Sequence, residues 1–162
     1  MRAVPKLIED EIYVHESEIK TRVRQIIKDE SYTVQPDEVY DLLLSLPDLV
    51  RILADILILE DFDAIDRYWA AYAFSYLIHK EDFIPDTTVL QIGYLDDLVV
   101  SILILKKIAD AGDKRRFQNY MIRETPFDPF LTQAVKLAAV AVPRVIYDKI
   151  IQLISADTTG AV

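Results

Sequence analysis

Apolar side chains recur at helical intervals along almost the whole chain. Between Glu16 and Asp29 they fall at Ile19, Val23, Ile26 and Ile27, which lays one hydrophobic stripe along an otherwise charged segment and predicts an amphipathic helix. Pro36 fits a first helical position, because its fixed φ suits the helix and its missing N–H would be unsatisfied there anyway; Asp37 and Glu38 follow in the turn where the helix dipole favours negative charge. The helix they open extends to about Leu59. Pro47 interrupts it, since an internal proline deletes a hydrogen bond and clashes with the preceding turn, so a kink or short break is expected at Leu46. The second half, Asp48 to Leu59, is apolar nearly all round, as befits a central helix with neighbours on several sides.

Asp63, followed three residues later by Asp66, reads as a start signal for a helix from about Ala64 to Lys80, with His79 and Lys80 at the end where cations suit the dipole. Gly93 precedes a helix from Tyr94 to Ala109, acidic at its start (Asp96, Asp97) and basic at its end (Lys106, Lys107). A short helix over Lys114 to Arg123 follows. The last opens near Thr125, Pro126 and Asp128, or at Asp128 and Pro129, and reaches about Ser155, with a second kink expected at Pro143 and a frayed tail from Ala156. No segment alternates with period two over a useful length. The pattern therefore predicts an all-α, single-domain helical bundle of five to seven helices over residues 1–162, some kinked at Pro47 and Pro143.

Composition narrows the chemistry. With 52% hydrophobic and 28% charged residues, the 162-residue chain has ample material for one core and lacks the signature of disorder. Three glycines disfavour a sandwich, a barrel or a Gly-rich phosphate loop, and the absence of cysteine excludes disulfides, thiolate nucleophiles and Cys-ligated metals. The formal charge of −9 is uneven: residues 31–97 hold 14 acids and 3 bases, whereas residues 98–162 hold 6 acids and 9 bases. The simplest expectation is that these two parts pack together within one fold. The acidic start lacks an apolar export core, and the uncharged runs fall short of the roughly 20 residues a bilayer span needs, so a cytoplasmic chain without a transmembrane segment is expected. Peripheral membrane contact through Leu98–Leu105 and the basic residues behind it (Lys106, Lys107, Lys114, Arg115, Arg116) is a further expectation to test.

Most charged and aromatic clusters have a structural reading. Asp41, Asp48 and Asp55 repeat every seven residues along one helix face, with Arg51 at ion-pair spacing from the last two. Tyr68, Tyr72 and Tyr76 form a ridge beside Trp69, read as core packing; a base-stacking platform would need a basic groove, and only Arg67 and Lys80 lie nearby, so no nucleic acid is expected. His15 and His79 are read as surface or helix-end residues.

The most informative stretch is Tyr76 to Asp97, YLIHKEDFIPDTTVLQIGYLDD. It carries Asp82, Asp86, Asp96 and Asp97 with Lys80 as its one base. Two carboxylates about 5 Å apart at an effective dielectric of about 20 repel by roughly 3 kcal/mol, so a tight group of four needs backbone amides, raised pKa values, distant bases or a cation. The favoured reading disperses them as caps of turns and helix ends. The functional alternative gathers Asp82, Asp86, Asp96 and Asp97 around Mg or Ca, which prefer oxygen ligands.

The run Asp82-Phe-Ile-Pro85-Asp86, a spacer, then Gly93-Tyr-Leu-Asp96-Asp97 resembles the signature of the domain-of-unknown-function 1232 (DUF1232, YkvA-like) family, roughly D-x-I-P-D, spacer, G-x-x-D-D. The likeness covers residues 70–107, a motif hairpin within the larger domain. Many members place a proline shortly before the first aspartate, where this chain has His79, Lys80 and Glu81. The resemblance implies a small helical module, often membrane-associated, and supplies no catalytic residues. The expected function is a non-enzymatic interaction or scaffold module, with an unknown protein partner or self-association. The alternative is a divalent-cation-binding protein, conceivably a hydrolase of phosphorylated small molecules.

Overall fold

The computed structural model describes residues 3–78 and 93–156. Eight α-helical segments occur among them: α1 (Ala3–Val14), α2 (Glu16–Asp29), α3 (Pro36–Leu43), α4 (Leu46–Ile58), α5 (Ala64–Ile78), α6 (Gly93–Ala111), α7 (Phe127–Ala141) and α8 (Arg144–Ala156). A 3-10 turn at Lys114–Phe117 and a hairpin of two-residue strands, β1 (Met121–Ile122) and β2 (Thr125–Pro126), connect α6 to α7. The fold is the expected all-α bundle. Counting each proline-divided pair, α3/α4 and α7/α8, as one helix brings the number within the expected range.

Both prolines break the helix where a bend was expected. Pro47 lies in the first turn of α4, after a two-residue gap in which Ser45 donates its hydroxyl to the Leu42 carbonyl at 2.5 Å. Val142, forced out of helical geometry by the proline that follows, is extended at φ −131° and ψ 162°, and α8 restarts at Arg144. The segment Lys114–Arg123 departs from its predicted helix. Only Lys114–Phe117 is helical, capped by Asp113, whose carboxylate accepts the Arg115 N–H at 2.9 Å. Arg123 and Glu124 then both take positive φ, 45° and 67°, as the central pair of the hairpin turn. That geometry normally selects Asn-Gly, and Arg-Glu carries no such turn signal.

Helix ends follow local chemistry. Glu38 accepts the Gln35 N–H at 2.9 Å ahead of α3. Asp63 accepts the N–H groups of Ile65 and Asp66, both at 2.8 Å, while Asp66 accepts that of Asp63 at 3.1 Å: the reciprocal cap anticipated for α5. Helix α2 closes with the Tyr32 N–H on the Ile27 carbonyl and that of Ser31 on Lys28, with Ser31 left-handed at φ 57°.

Helix α6 is the axis of the core. Leu95, Leu98, Val99, Ile102, Ile104 and Leu105 are completely buried, and α4, α5, α7 and α8 pack around it. Truncating one such leucine to alanine removes its contacts and leaves a hole, costing about 2–5 kcal/mol. Helix α1, which periodicity did not single out, lies against α4 and buries Ile12. No helix among the described residues is long and apolar enough to cross a membrane.

Candidate functional site: the α5–α6 hairpin and its groove

The motif region places α5 against α6, with residues 79–92 between them outside the described residues; Asp82, Asp86 and His79 are among these. Asp96 and Asp97 stand in the first turn of α6 and serve different ends. Asp96 is fully buried, and Tyr76, across the hairpin, donates its hydroxyl to the carboxylate at 2.7 Å. A buried carboxylate is costly unless hydrogen-bonded, and here it has a phenol and the positive end of the helix dipole. Asp97, about 100° further round the helix, lies on the wall of a surface groove.

That groove, of about 550 Å³, runs between α1, α4, α5 and α6. Val4 and Ile8 of α1, Ala54 and Ile58 of α4, and Phe74 and Ile78 of α5 give it an apolar lining. Val4, Ile58 and Ile78 are 52%, 63% and 72% exposed, so the apolar surface continues outward beyond the floor. Tyr94 stands beside Asp97 on the α6 wall. Tyr94 donates its hydroxyl to Glu11 at 3.2 Å, and its phenol is pushed up to about 12 by burial first, then by Glu11 and Asp97. Arg51 and Asp55 also line the wall.

The Asp41–Asp48–Asp55 row is structural, as the spacing suggested. Asp48 pairs with Arg51 and accepts the Arg123 N–H at 3.0 Å, pinning the strained turn onto α4. Asp55 accepts the Tyr120 hydroxyl at 3.1 Å; burial, then Asp55, pushes that phenol up to about 12. Asp41 is exposed. In the aromatic ridge Trp69 is buried with its ring edge-on to Tyr68 and Tyr72, while Tyr68 is half exposed. His15 meets Glu18 at 3.0 Å on the surface between α1 and α2.

The basic cluster is largely paired inside the fold. Lys106 binds Asp110, and Arg115 binds Asp113 at 2.6 Å, holding that carboxyl down to about 2. Lys107 sits 4.3 Å from the Trp69 ring centroid and donates to the Ile154 carbonyl of α8 at 3.1 Å. Arg116 forms a buried ion pair with Asp66. Its guanidinium also donates to the carbonyls of Ile108 and Asp113, both at 3.1 Å, and lies over the rings of Phe62 and Phe117. Sequence reasoning identified Asp66 as a cap only, because its partner is 50 residues away and nothing local announces it. Among the described residues no three His, Asp or Glu side chains converge as a metal site would require.

Comparisons with known proteins add little to this geometry. A 66-residue stretch, 41% of the chain, is 32% identical to a protein named "Uncharacterized protein ORF9" from Methanothermobacter thermautotrophicus. The match spans 45% of that relative, so less than half its length is covered. No family model matches the chain, and no solved structure matches it.

Proposed function

We propose that the chain is a non-enzymatic helical interaction module of the DUF1232 (YkvA-like) kind, acting in the cytoplasm through the groove beside its motif hairpin. The observation that carries this reading is the apolar groove of about 550 Å³ with Ile58 and Ile78 exposed at its edge. A stable fold gains by burying such side chains, about 1.5–3 kcal/mol each, and a continuous exposed set is the usual mark of a surface made to be covered. Peripheral membrane binding has weaker support, because Lys106, Lys107, Arg115 and Arg116 are engaged with internal partners.

Chemical crosslinking of the native chain in extract, compared with an Ile58→Ser/Ile78→Ser variant, tests the module. A partner or dimer captured by the first and lost by the second supports it. Capture of the same species by both, or of none by either, removes it.

The rival reading, Mg or Ca held by Asp82, Asp86, Asp96 and Asp97, is disfavoured by the burial of Asp96 and its hydrogen bond to Tyr76. Thermal melts at millimolar Mg²⁺, Ca²⁺ or Mn²⁺ are expected to show no shift; stabilisation that disappears in Asp97→Asn would reverse that preference.

A further inference from the structure

We infer that α1 is a detachable arm. It leaves α4 as one unit, turning about His15 while the remaining helices stay folded, and its departure joins the groove to a second cavity on its other flank. The motion stands independently of what fills the groove.

Three observations lead there. The first is how little of α1 is anchored. Of residues 4–14 only Ile12 is buried, with Pro5, Ile8 and Glu11 half-buried, whereas α2 buries Ile19, Val23 and Ile26. Nor are its side chains sorted by side: Lys6 and Glu9 line a cavity toward the bundle, while Leu7 and Val14 are 62% and 78% exposed. Segments with few buried apolar contacts are the ones that open locally.

The second is the space beneath it. The apolar groove flanks α1 on one side, and on the other a cavity of about 680 Å³ reaches Leu44, Pro47 and the Arg123 turn. Pro5 and Arg51 belong to both linings, so the two hollows meet under the arm, whose main support is α4.

The third is the attachment. One residue, His15, separates α1 from α2, at φ −102° and ψ 17° with no side-chain cap. Hydrogen bonds run helically through it, from the His15 N–H to the Glu11 carbonyl at 3.1 Å and from the Ile19 N–H to the His15 carbonyl at 2.9 Å. A dihedral change at this one position turns the arm without unwinding α2. Among the described residues, two side-chain hydrogen bonds tie α1 to the rest of the bundle: Tyr94 to the Glu11 carboxylate at 3.2 Å and Tyr40 to the Ile12 carbonyl at 3.4 Å. Both are long for a hydroxyl donor. With α1 away, groove and cavity form one trough along α4, with Val50 and Ala54 in its floor.

Native-state amide exchange on the full chain tests this, because a detached helix of 12 residues is marginal in water and loses its protection. Amides of residues 8–14 are expected to exchange as one cooperative group, about 100-fold or more faster than those of α4 and α6, with little response to low urea. Thiols give a second reading in a chain with no cysteine of its own. Ile12 and Ile19 are both fully buried on opposite sides of His15, and Ile12→Cys should be modified about tenfold or more faster than Ile19→Cys. Urea unfolding of each variant corrects for its stability. Exchange of α1 at the rate and urea dependence of α4 and α6 overturns the inference, since α1 then leaves only when the whole fold opens. Protection that rises residue by residue toward Val14 is fraying of a helix end and overturns it as well. Equal thiol reactivity overturns the hinge at His15. The groove's role is decided separately, by crosslinking of Ile58→Ser/Ile78→Ser.

Discussion

Replacing Arg116 by methionine isolates the buried ion pair that joins the start of α5 to the 3-10 turn after α6. Asp66 and Arg116 keep only 5% and 14% of their side chains exposed, so neither charge is well solvated. Methionine retains much of the stem packed on Phe62 and Phe117 but leaves the Asp66 carboxylate with the Asp63 N–H at 3.1 Å, a single weak cap. Breaking such a pair from one side costs about 3–5 kcal/mol, because the surviving charge stays buried. The Ile108 carbonyl also loses a donor, worth about 1 kcal/mol. A total of about 4–6 kcal/mol is expected from urea unfolding followed by far-UV circular dichroism at pH 7. The cycle with Asp66→Asn should show coupling of about 2 kcal/mol, the double variant losing much less than the sum of the singles. Gly112→Ala probes the same contact: a Cβ there would lie 1.9 Å from Nη2 and 2.5 Å from Cζ of Arg116, so the guanidinium must leave its seat. That variant should lose about 2 kcal/mol in the native background and almost nothing beside Arg116→Met. A single-variant loss under about 1 kcal/mol, with negligible coupling, would place the pair among ordinary surface bridges and refute the reasoning.

Alkaline stability reports the two shielded phenols. Tyr94 and Tyr120 titrate at about 12 in the fold against about 10 unfolded, so their contribution is complete below pH 10 and declines as pH climbs from there through 12. After discounting for partial exposure it amounts to about 1 kcal/mol each; melting points measured from pH 9 to 12 should fall less steeply in Tyr94→Phe/Tyr120→Phe, and parallel curves would contradict this. Three non-glycine residues among those described take left-handed backbone: Ser31 at the end of α2, and Arg123 and Glu124 in the β1–β2 turn, at φ 57°, 45° and 67°. Ser31→Gly and Glu124→Gly should each raise stability by about 0.5–1 kcal/mol in denaturant titrations, and a loss in either would show that its side chain has a role.

What the chain reveals before folding is the local physics. The Ile19–Val23–Ile26 stripe, Pro36 as an opening residue and the Asp63/Asp66 cap are written within four residues of where they act, and each is found where the pattern placed it. The breaks at Pro47 and Pro143 were legible as interruptions, though not as complete restarts. The hairpin at Arg123–Glu124 was not, because its conformation is imposed from outside by Asp48, 75 residues earlier. The same holds for the candidate site. Asp96 and Asp97 stood out as acids, but only the packing of Tyr76, Tyr94 and Glu11 around them separates the inward residue from the one on the groove. The apolar groove had no signature at all, since its walls come from four helices and each contributes residues that alone read as ordinary core.

The lone tryptophan of the chain has a practical consequence. Trp69 lies under the Lys107 ammonium, and that same ammonium holds the Ile154 carbonyl near the end of α8. Detachment of the C-terminal helix would free the lysine and change the field over the indole. Emission wavelength and quenching at this one chromophore thus form a native optical gauge of terminal undocking, needing no introduced dye.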